Sequence, residues 1–461
     1  MSMYNSSPLG KIRAVIIVSC LILIVSIVGY AFLMDANDTV NPKEDILTNI
    51  ETIDEEELDY SYVSSYIKKL GIGNINSYKI NTIESYLESG FYKELPEEKE
   101  LAKAISQLFI EHFYDTIDLE DKEAVTDALL KCLFASIGDP YAYYRTAAEF
   151  EEYLEYLEGG EQFVGIGVMM NSETLEIIMV YPGSGAEEAG IQTRDIIYGV
   201  GGKTLEDMPK EDLINLLKGE ADTTVSVTVK RGEELKTFDV TRRVLQERSV
   251  YHTITDEGLG HIQITQFSNA TPEEFRQSVD YCIANGAKAL IIDVRYNPGG
   301  LVSAAVDVVD YLVPDAPDRR IASYTYGESE YVYYTMDAHS VDLPIAVICN
   351  EGTASSGELF TSAIRDYAKD GIIDAVIVGA TTYGKGVLQT SYTLYDGSGI
   401  TFTIGYCNPP SNVNIDGIGI IPDIEVEEVS AFDQPLSVAS QELLKLVNKD
   451  GTQEPALDAA A

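Results

Sequence analysis

Three short apolar runs, each followed by a glycine-containing turn or loop, constrain the fold of this chain more than any other feature. They lie at Ala289–Arg295, Ile345–Asn350 and Val376–Gly379, and the first two lead into helical patterns. Strands that are apolar along their length are buried on both faces, and their alternation with helices is typical of a mostly parallel sheet. The second half of the chain is therefore predicted to be an α/β domain.

A different pattern precedes this domain. Gly159-Gly160 separates a helical pattern over residues 97–157 from a series of short strand-like pieces. Among them, Thr224–Lys230 alternates as V-x-V-x-V, and Lys210–Leu217 has helical periodicity. Strands, a glycine-rich turn and one helix over roughly 85 residues predict a compact domain of their own.

The N-terminus contains a candidate membrane span. Ala14–Met34 carries no charge and is long enough to cross a bilayer. Lys11 and Arg13 precede it and Asp35 follows, so the positive-inside rule predicts a cytoplasmic N-terminus and an extracytoplasmic remainder. A cleaved signal peptide is the alternative, but the run is long for one and no A-x-A site ends it.

Charge and composition exclude several classes of protein. The net charge is −43, from 75 acidic and 32 basic residues, and such a surface repels nucleic acid. Five cysteines lie far apart without a C-x-x-C pair, and four histidines lack metal-ligand spacing. Neither a bound metal nor a cofactor is predicted.

Ser355 is a candidate nucleophile. It lies just past a buried strand and at the start of a helix, where open α/β sheets place their ligands. The amides of the first helical turn would point into the same space and could hold an oxyanion. The alternative is that Thr353, Ser355 or Ser356 only caps the helix.

Lys385 is a candidate general base. Gly384 and Gly386 flank it and allow close backbone packing, which could bury the amine and lower its pKa. A neutral lysine can accept the proton of a serine hydroxyl, and Gln389 could orient the amine. An exposed turn lysine is the alternative. A Ser-His-Asp arrangement is also possible, although no histidine is near these segments in sequence.

Two glycine-containing segments could contribute amides to binding. Asn297-Pro298-Gly299-Gly300 follows the strand ending at Arg295 and could supply a second oxyanion donor, although an ordinary tight turn is the alternative. F-V-G-I-G-V at residues 163–168 could present its amides to the terminal carboxylate of a peptide, with strand addition alongside.

In combination, these motifs resemble those of the C-terminal processing peptidases, also called tail-specific proteases. The resemblance covers residues 100–445. It rests on six motifs in the family's order, namely S-I-G-D-P-Y (136–141), F-V-G-I-G-V with P-G-S-G-A-E-E-A-G-I-Q-T-R-D-I-I (163–197), L-I-I-D-V-R-Y-N-P-G-G (290–300), E-G-T-A-S-S-G-E-L-F (351–360), Y-G-K-G-V-L-Q (383–389) and G-I-G-I-I-P-D-I-E-V (417–426).

The resemblance implies a role for each matched residue. Ser355 would be the nucleophile, Lys385 its base and Gln389 the support of the amine. The oxyanion would bind the amide of Ser356 and one from Gly299 or Gly300. A PDZ domain would capture substrate C-termini through its loop, formed by Val164, Gly165, Ile166, Gly167 and Val168.

Together with the apolar run Ala14–Met34, the resemblance leads us to expect an α+β multidomain fold with an N-terminal transmembrane helix, a PDZ domain and a ClpP/crotonase-like α/β protease domain. The expected segments are a cytoplasmic tail and anchor (1–34), a juxtamembrane spacer (35–95), a helical segment (96–158), the PDZ domain (159–246), the protease domain (247–430) and a C-terminal helix with a tail (431–461).

The expected function is that of a membrane-anchored extracytoplasmic serine endopeptidase. Its partners would be the membrane, through one helix, and unfolded or regulatory proteins with free C-termini; a homo-oligomer is possible. One alternative is a catalytically silent PDZ scaffold that only binds peptides. Another is an acyl-CoA enzyme on a similar scaffold.

Overall fold

The computed structural model describes residues 75–96, 98–113, 115–160, 162–171, 174–246, 248–336, 338–426 and 433–450. Its helices are α1 Ser77–Gly90, α2 Glu98–His112, α3 Lys122–Ser136, α4 Ala147–Glu158, α5 Gly185–Ala189, α6 Lys210–Asn215, α7 Thr271–Ala284, α8 Val302–Leu312, α9 Ser356–Lys369 and α10 Gln434–Asp450.

The strands, in chain order, are β1 Tyr143–Arg145, β2 Gln162–Gly165, β3 Val168–Met170, β4 Ile177–Val180, β5 Ile196–Val200, β6 Lys203–Thr204, β7 Thr224–Arg231, β8 Glu234–Thr241, β9 Arg243–Gln246, β10 Val250–Ile254, β11 Gly260–Ile264, β12 Leu290–Asp293, β13 Arg320–Tyr326, β14 Ser329–Tyr334, β15 Ile345–Cys349, β16 Ala375–Gly379, β17 Val387–Thr393, β18 Gly399–Asn408 and β19 Ile424–Glu425.

A six-stranded sheet forms the centre of the second half of the chain. Its order is β10-β11-β12-β15-β16-β19, and all neighbours are parallel except β10 and β11. Every residue of β12 and β15 is buried, which agrees with their apolar sequences. The predicted α/β domain with a mostly parallel sheet is therefore confirmed.

Helices pack on this sheet and complete its core. Helix α10 packs through Ala439 and Leu443 on alternate strand residues, including Ile291 and Ile348. Helices α7 and α9 also contact the sheet, and α8 packs between them. Because both faces are covered, the polar groups of the site can lie only beyond the strand ends.

The region between residues 159 and 246 has its own hydrophobic core. Strands β5 to β8 form a four-stranded sheet, while β2 pairs with β9 and β3 with β4. The alternation predicted for Thr224–Lys230 is confirmed, because Val225, Val227 and Val229 of β7 point into this core. Strands β2 and β3 are separated by Ile166-Gly167, where Gly167 has φ +84°.

The chain divides into two compact units, and the division differs from the expected segments. Among the described residues, β17 and most of β18 (387–407) belong with the N-terminal helices and not with the six-stranded sheet. Ile400 and Phe402 of β18 are buried in the same core as α1 to α3. Lys79 of α1 is also buried and ion-pairs at 2.8 Å with Asp127 and with Asp396 of the β17–β18 turn.

Part of the expected juxtamembrane spacer belongs to this N-terminal unit. Helix α1 lies in the range 35–95 and buries Ile80, Ile83 and Leu87 in the core of the unit. Gly90 is the last residue of α1, so the helix ends within the expected spacer.

The expected membrane span Ala14–Met34 lies outside the described residues. Within the described part of the chain, every helix is too short or too polar to span a bilayer.

Candidate active site

Ser355 occupies a strained turn between β15 and α9. Its backbone has φ +53° and ψ −118°, which is a costly conformation for a residue with a side chain. Such strain persists only where the surroundings impose it, and it is frequent at reactive residues held on strand-to-helix turns. Ser355 is also the N-cap residue of α9. The capping role that was considered as the alternative to a nucleophile therefore falls on the same residue.

The buried carboxylate of Glu358 joins the Ser355 turn to the Lys385 loop. The same oxygen, Oε2, accepts from the amide of Ser355 at 2.9 Å and from the amide of Lys385 at 2.8 Å. The other oxygen, Oε1, accepts from the Gly384 amide and from the Thr382 hydroxyl, both at 2.6 Å. Four donors on one fully buried carboxylate fix the two candidate catalytic residues relative to each other.

The glycines around Lys385 are required by close backbone packing. A Cβ at Gly384, where φ is +92°, would lie 3.1 Å from the amide nitrogens of Ile418 and Gly419. A Cβ at Gly386 would lie 2.5 Å from the nitrogen of Asp416. The side chain of Lys385 is partly buried, so the exposed turn lysine considered from the sequence is not what this packing produces.

Gly299 packs directly against the nucleophile. A Cβ there would lie 2.7 Å from Ser355 Cβ and 2.9 Å from the nitrogen of Ser356. The Gly299 amide already donates to Asn297 Oδ1 at 2.8 Å. Of the two glycines, Gly300 is therefore the better candidate for the second oxyanion donor, and Ser356 Oγ donates to its carbonyl oxygen at 2.9 Å.

Hydrogen bonds from side chains and backbone join the nucleophile turn to the end of β12 and the glycine turn after it. Thr353 Oγ1 donates to the Val294 carbonyl at 2.7 Å, and the Ala354 amide donates to the Asn297 carbonyl at 2.8 Å. Asn350 Oδ1 accepts from the amide of Tyr296 at 3.0 Å. The glycine turn and the nucleophile turn therefore form one hydrogen-bonded assembly.

An ionic network holds the residues just before the glycine turn. Arg295 bonds Asp293 through Nε and Nη2, and it bonds Asp433 through Nη1 and Nη2 at 3.0 and 2.9 Å. Burial by itself would raise the pKa of Asp293, but the charge of Arg295 and the hydrogen bond from His261 outweigh it and hold that pKa well below its usual range. The carboxylate therefore stays ionised, and the end of β12 is fixed just before the turn.

Gln389 lies on β17, in the unit that contains the N-terminal helices. Its side-chain amide donates to Thr403 Oγ1 at 3.1 Å, beside an irregularity in the β17–β18 pairing at Leu388/Gln389. The amide of Thr403 donates in turn to Asp139, the buried acid of the S-I-G-D-P-Y motif, at 2.9 Å. A role for Gln389 in holding Lys385 stays a prediction.

Two histidines of the six-stranded sheet form contacts away from Ser355. His252 pairs with Ser278 Oγ at 3.0 Å, and His261 Nε2 lies 3.4 Å from Asp293. Among the hydrogen bonds of the described residues, neither histidine contacts Ser355. The Ser-His-Asp alternative gains no support from this geometry.

Comparison with known proteins identifies the family of this chain. The model of peptidase family S41 matches residues 258–426, and a PDZ-domain model matches residues 176–231. A protein named as a CtpA-like serine protease in Staphylococcus saprophyticus is 30% identical over 350 residues, which are 75% of this chain and 68% of the relative. The chain belongs to peptidase family S41.

A second relative and a solved structure extend the comparison of this S41 chain. The CtpA-like serine protease of Staphylococcus haemolyticus is 31% identical over 69% of the chain, which spans 64% of that relative's length. A crystal structure of an S41 protease from Bacteroides fragilis has a TM-score of 0.52 and 18% identity, covering 81% of this chain and 98% of that one. The solved structure shows that the S41 chain shares its fold.

The loop that was expected to bind peptide C-termini, residues 164–168, spans the break between β2 and β3 of this S41 chain. The carbonyls of Ile166 and Gly167 accept from the amides of Ala186 and Tyr181 at 2.9 and 3.0 Å. A Cβ at Gly167 would lie 2.2 Å from Ser184 Cβ, so only glycine fits. In the described part of the chain, β3 forms a two-stranded sheet with β4, so Val168 lies on an edge strand, and its role in peptide binding stays a prediction.

The sequence pattern did not identify Glu358 or Asn297 as functional residues. Both stand inside the S41 motifs quoted above, Glu358 three residues after Ser355 and Asn297 two residues before Gly299. The signal for Glu358 was available, because a glutamate three residues after a serine N-cap is the capping-box spacing. Its link to the Lys385 loop is a tertiary contact that this spacing does not contain.

Proposed function

We propose that the chain is a serine endopeptidase in which Ser355 and Lys385 form a catalytic dyad. The observation that supports it most is the shared Oε2 of Glu358, which accepts from the backbone amides of both residues. Membership of family S41 and the likeness to CtpA-like serine proteases support the same reaction.

In the proposed reaction, neutral Lys385 accepts the proton of Ser355 as Oγ attacks the carbonyl carbon of the scissile peptide bond. The resulting oxyanion is stabilised by the amides of Ser356 and Gly300. Lys385 then gives its proton to the departing amine, and the C–N bond breaks to leave an acyl ester on Ser355. A water molecule deprotonated by Lys385 attacks this ester and restores both residues.

We further propose that the PDZ domain binds the C-terminal end of a substrate. The support is the edge position of β3 beside Gly167, since an extended peptide can add to such an edge while loop amides hold its carboxylate. Below KM, an unstructured protein with a free apolar C-terminus is expected to be cleaved about tenfold faster than its C-terminally amidated form. Kinetics of both substrates would measure this.

A loop variant supplies the control for this recognition. Gly167→Val should remove the difference between the two substrates, because its side chain would collide with Ser184. Ser355 in that variant should still react with a small phosphonate inhibitor. Equal rates of the wild-type chain on both substrates would contradict C-terminal recognition.

The membrane anchor is likewise a proposal. It is supported by the uncharged run Ala14–Met34 and by the basic residues before it. In bacterial cells, the full chain should remain in carbonate-washed membranes and be degraded by protease added to spheroplasts. The variant Leu23→Arg, with a charge at the centre of the run, should be recovered less from membranes. Recovery of the full chain in the soluble fraction would contradict the anchor.

The alternative of a silent peptide-binding scaffold gains no support from the comparisons, whose named relatives are serine proteases.

A further inference from the structure

Three backbone segments lie side by side around Lys385. The amide of Tyr383 donates to the carbonyl of Thr353, two residues before Ser355, at 3.0 Å. On the other side, the carbonyl of Gly384 accepts from the amide of Gly417 at 2.8 Å. The loop that contains Gly417 is therefore adjacent to the Lys385 loop, which is adjacent to the nucleophile turn.

Glycines remove the side chains between these segments. Gly384 lies against the backbone of Ile418 and Gly419, and a Cβ at Gly419 would be 2.4 Å from the Thr382 carbonyl oxygen. Gly417 also has a positive φ of +71°. The contact between the two loops is consequently made through glycine backbone, and the exposed residues Tyr383 and Ile418 adjoin these glycines in the sequence.

Tyr383 and Ile418 are both exposed, at 61% and 64% of their surfaces. The backbone of Ile418 is nevertheless firmly held. Ile415 and Ile420 on either side of it are buried, and the Ile415 carbonyl accepts from the amides of both Ile418 and Gly419 at 3.0 Å. Ile418 is therefore an apolar side chain that a fixed loop presents to water next to the Lys385 loop.

We propose that Tyr383 and Ile418 bind an aliphatic side chain of the substrate residue that flanks the scissile bond. This proposal rests on the proposed peptidase function and adds a preference to it. An aliphatic side chain would leave water by lying on the glycine backbone between the two, whereas a serine side chain would gain little. Wild-type kcat/KM is expected to be at least about tenfold higher for valine than for serine at that position.

The experiment begins with the full-length chain and unfolded casein. Mass spectrometry of the products identifies the main cleavage sites, and two quenched peptides are made from the strongest site with valine or serine at the flanking position. Ile418→Ser should lower the ratio of kcat/KM values for these peptides to within about twofold of one. Ile283→Ser is the matched control, since Ile283 is also an exposed isoleucine but lies on α7.

A second variant keeps the test independent of any loss of folding. Ile418→Arg should gain activity on a peptide with glutamate at the flanking position relative to the valine peptide. An unchanged valine-to-serine ratio in Ile418→Ser, with Ser355 still reactive to a phosphonate, would overturn this proposal and leave the peptidase function standing. Failure of the wild-type chain to cleave casein would overturn the peptidase function and the proposal with it.

Discussion

Replacing Ser355 with alanine is expected to reduce cleavage of an unstructured protein by at least about a thousandfold, and Lys385→Ala should do the same. Loss of either member of a nucleophile–base pair removes nearly the whole chemical contribution of the pair, so the two effects should be similar and non-additive. The double variant should therefore be no slower than either single variant. Initial rates on unfolded casein, measured at equal concentrations of folded protein, would check this.

Two controls separate the role of Lys385 as a base from its positive charge. Lys385→Arg retains a cation but cannot become neutral near pH 7, so it should be as inactive as Lys385→Ala. Lys369→Ala removes an exposed lysine at the end of α9 and should retain wild-type activity. Turnover by Ser355→Ala or Lys385→Ala within tenfold of the wild-type rate would refute the proposed dyad.

Glu358→Gln is expected to lower kcat by about 100-fold and also to destabilise the fold. The new NH₂ group would take the place of Oε1 or Oε2. At least one backbone N–H that now donates to that oxygen would then be buried without an acceptor, at a cost of about 1–3 kcal/mol. The turns that carry Ser355 and Lys385 would no longer be held by the same carboxylate. A displacement of about 1 Å between reacting groups is enough for a loss of this size.

The kinetic and structural effects of this change can be measured separately. Urea unfolding gives the loss of stability, and rates of Ser355 labelling by a phosphonate, taken well below the unfolding midpoint, give the loss of positioning. Glu273→Gln alters an exposed glutamate in the first turn of α7 and should change neither quantity. If Glu358→Gln is destabilised but labels at the wild-type rate, the positioning role is refuted.

The α/β core could be predicted from the sequence because its strands are apolar at every position. In β12 and β15 the sequence alone indicates burial on both faces, and the following glycine turns then predict where side chains such as Ser355 converge. These inferences need only local pattern and the general geometry of parallel sheets.

Other features depend on contacts between distant parts of the chain. The carboxylate of Glu358 reaches Lys385, 27 residues away, and Arg295 reaches Asp433, 138 residues away. Neither partner can be inferred from spacing or periodicity. The same limitation explains why β17 and β18 were expected in the protease domain, since their order in the chain does not reveal that Ile400 and Phe402 pack on the N-terminal helices.

The interleaving of the two units also determines which piece of this protein can be isolated. The family model covers residues 258–426, but that segment includes β18, whose Ile400 and Phe402 are buried against helices encoded before residue 137. Cutting the gene at the edges of the match would leave this apolar surface uncovered and remove Lys79, the ion-pair partner of Asp396. The segment matched by the S41 model is consequently not expected to fold when it is expressed alone. A recombinant or chimaeric protein must carry the helices from Ser77 onward together with this segment.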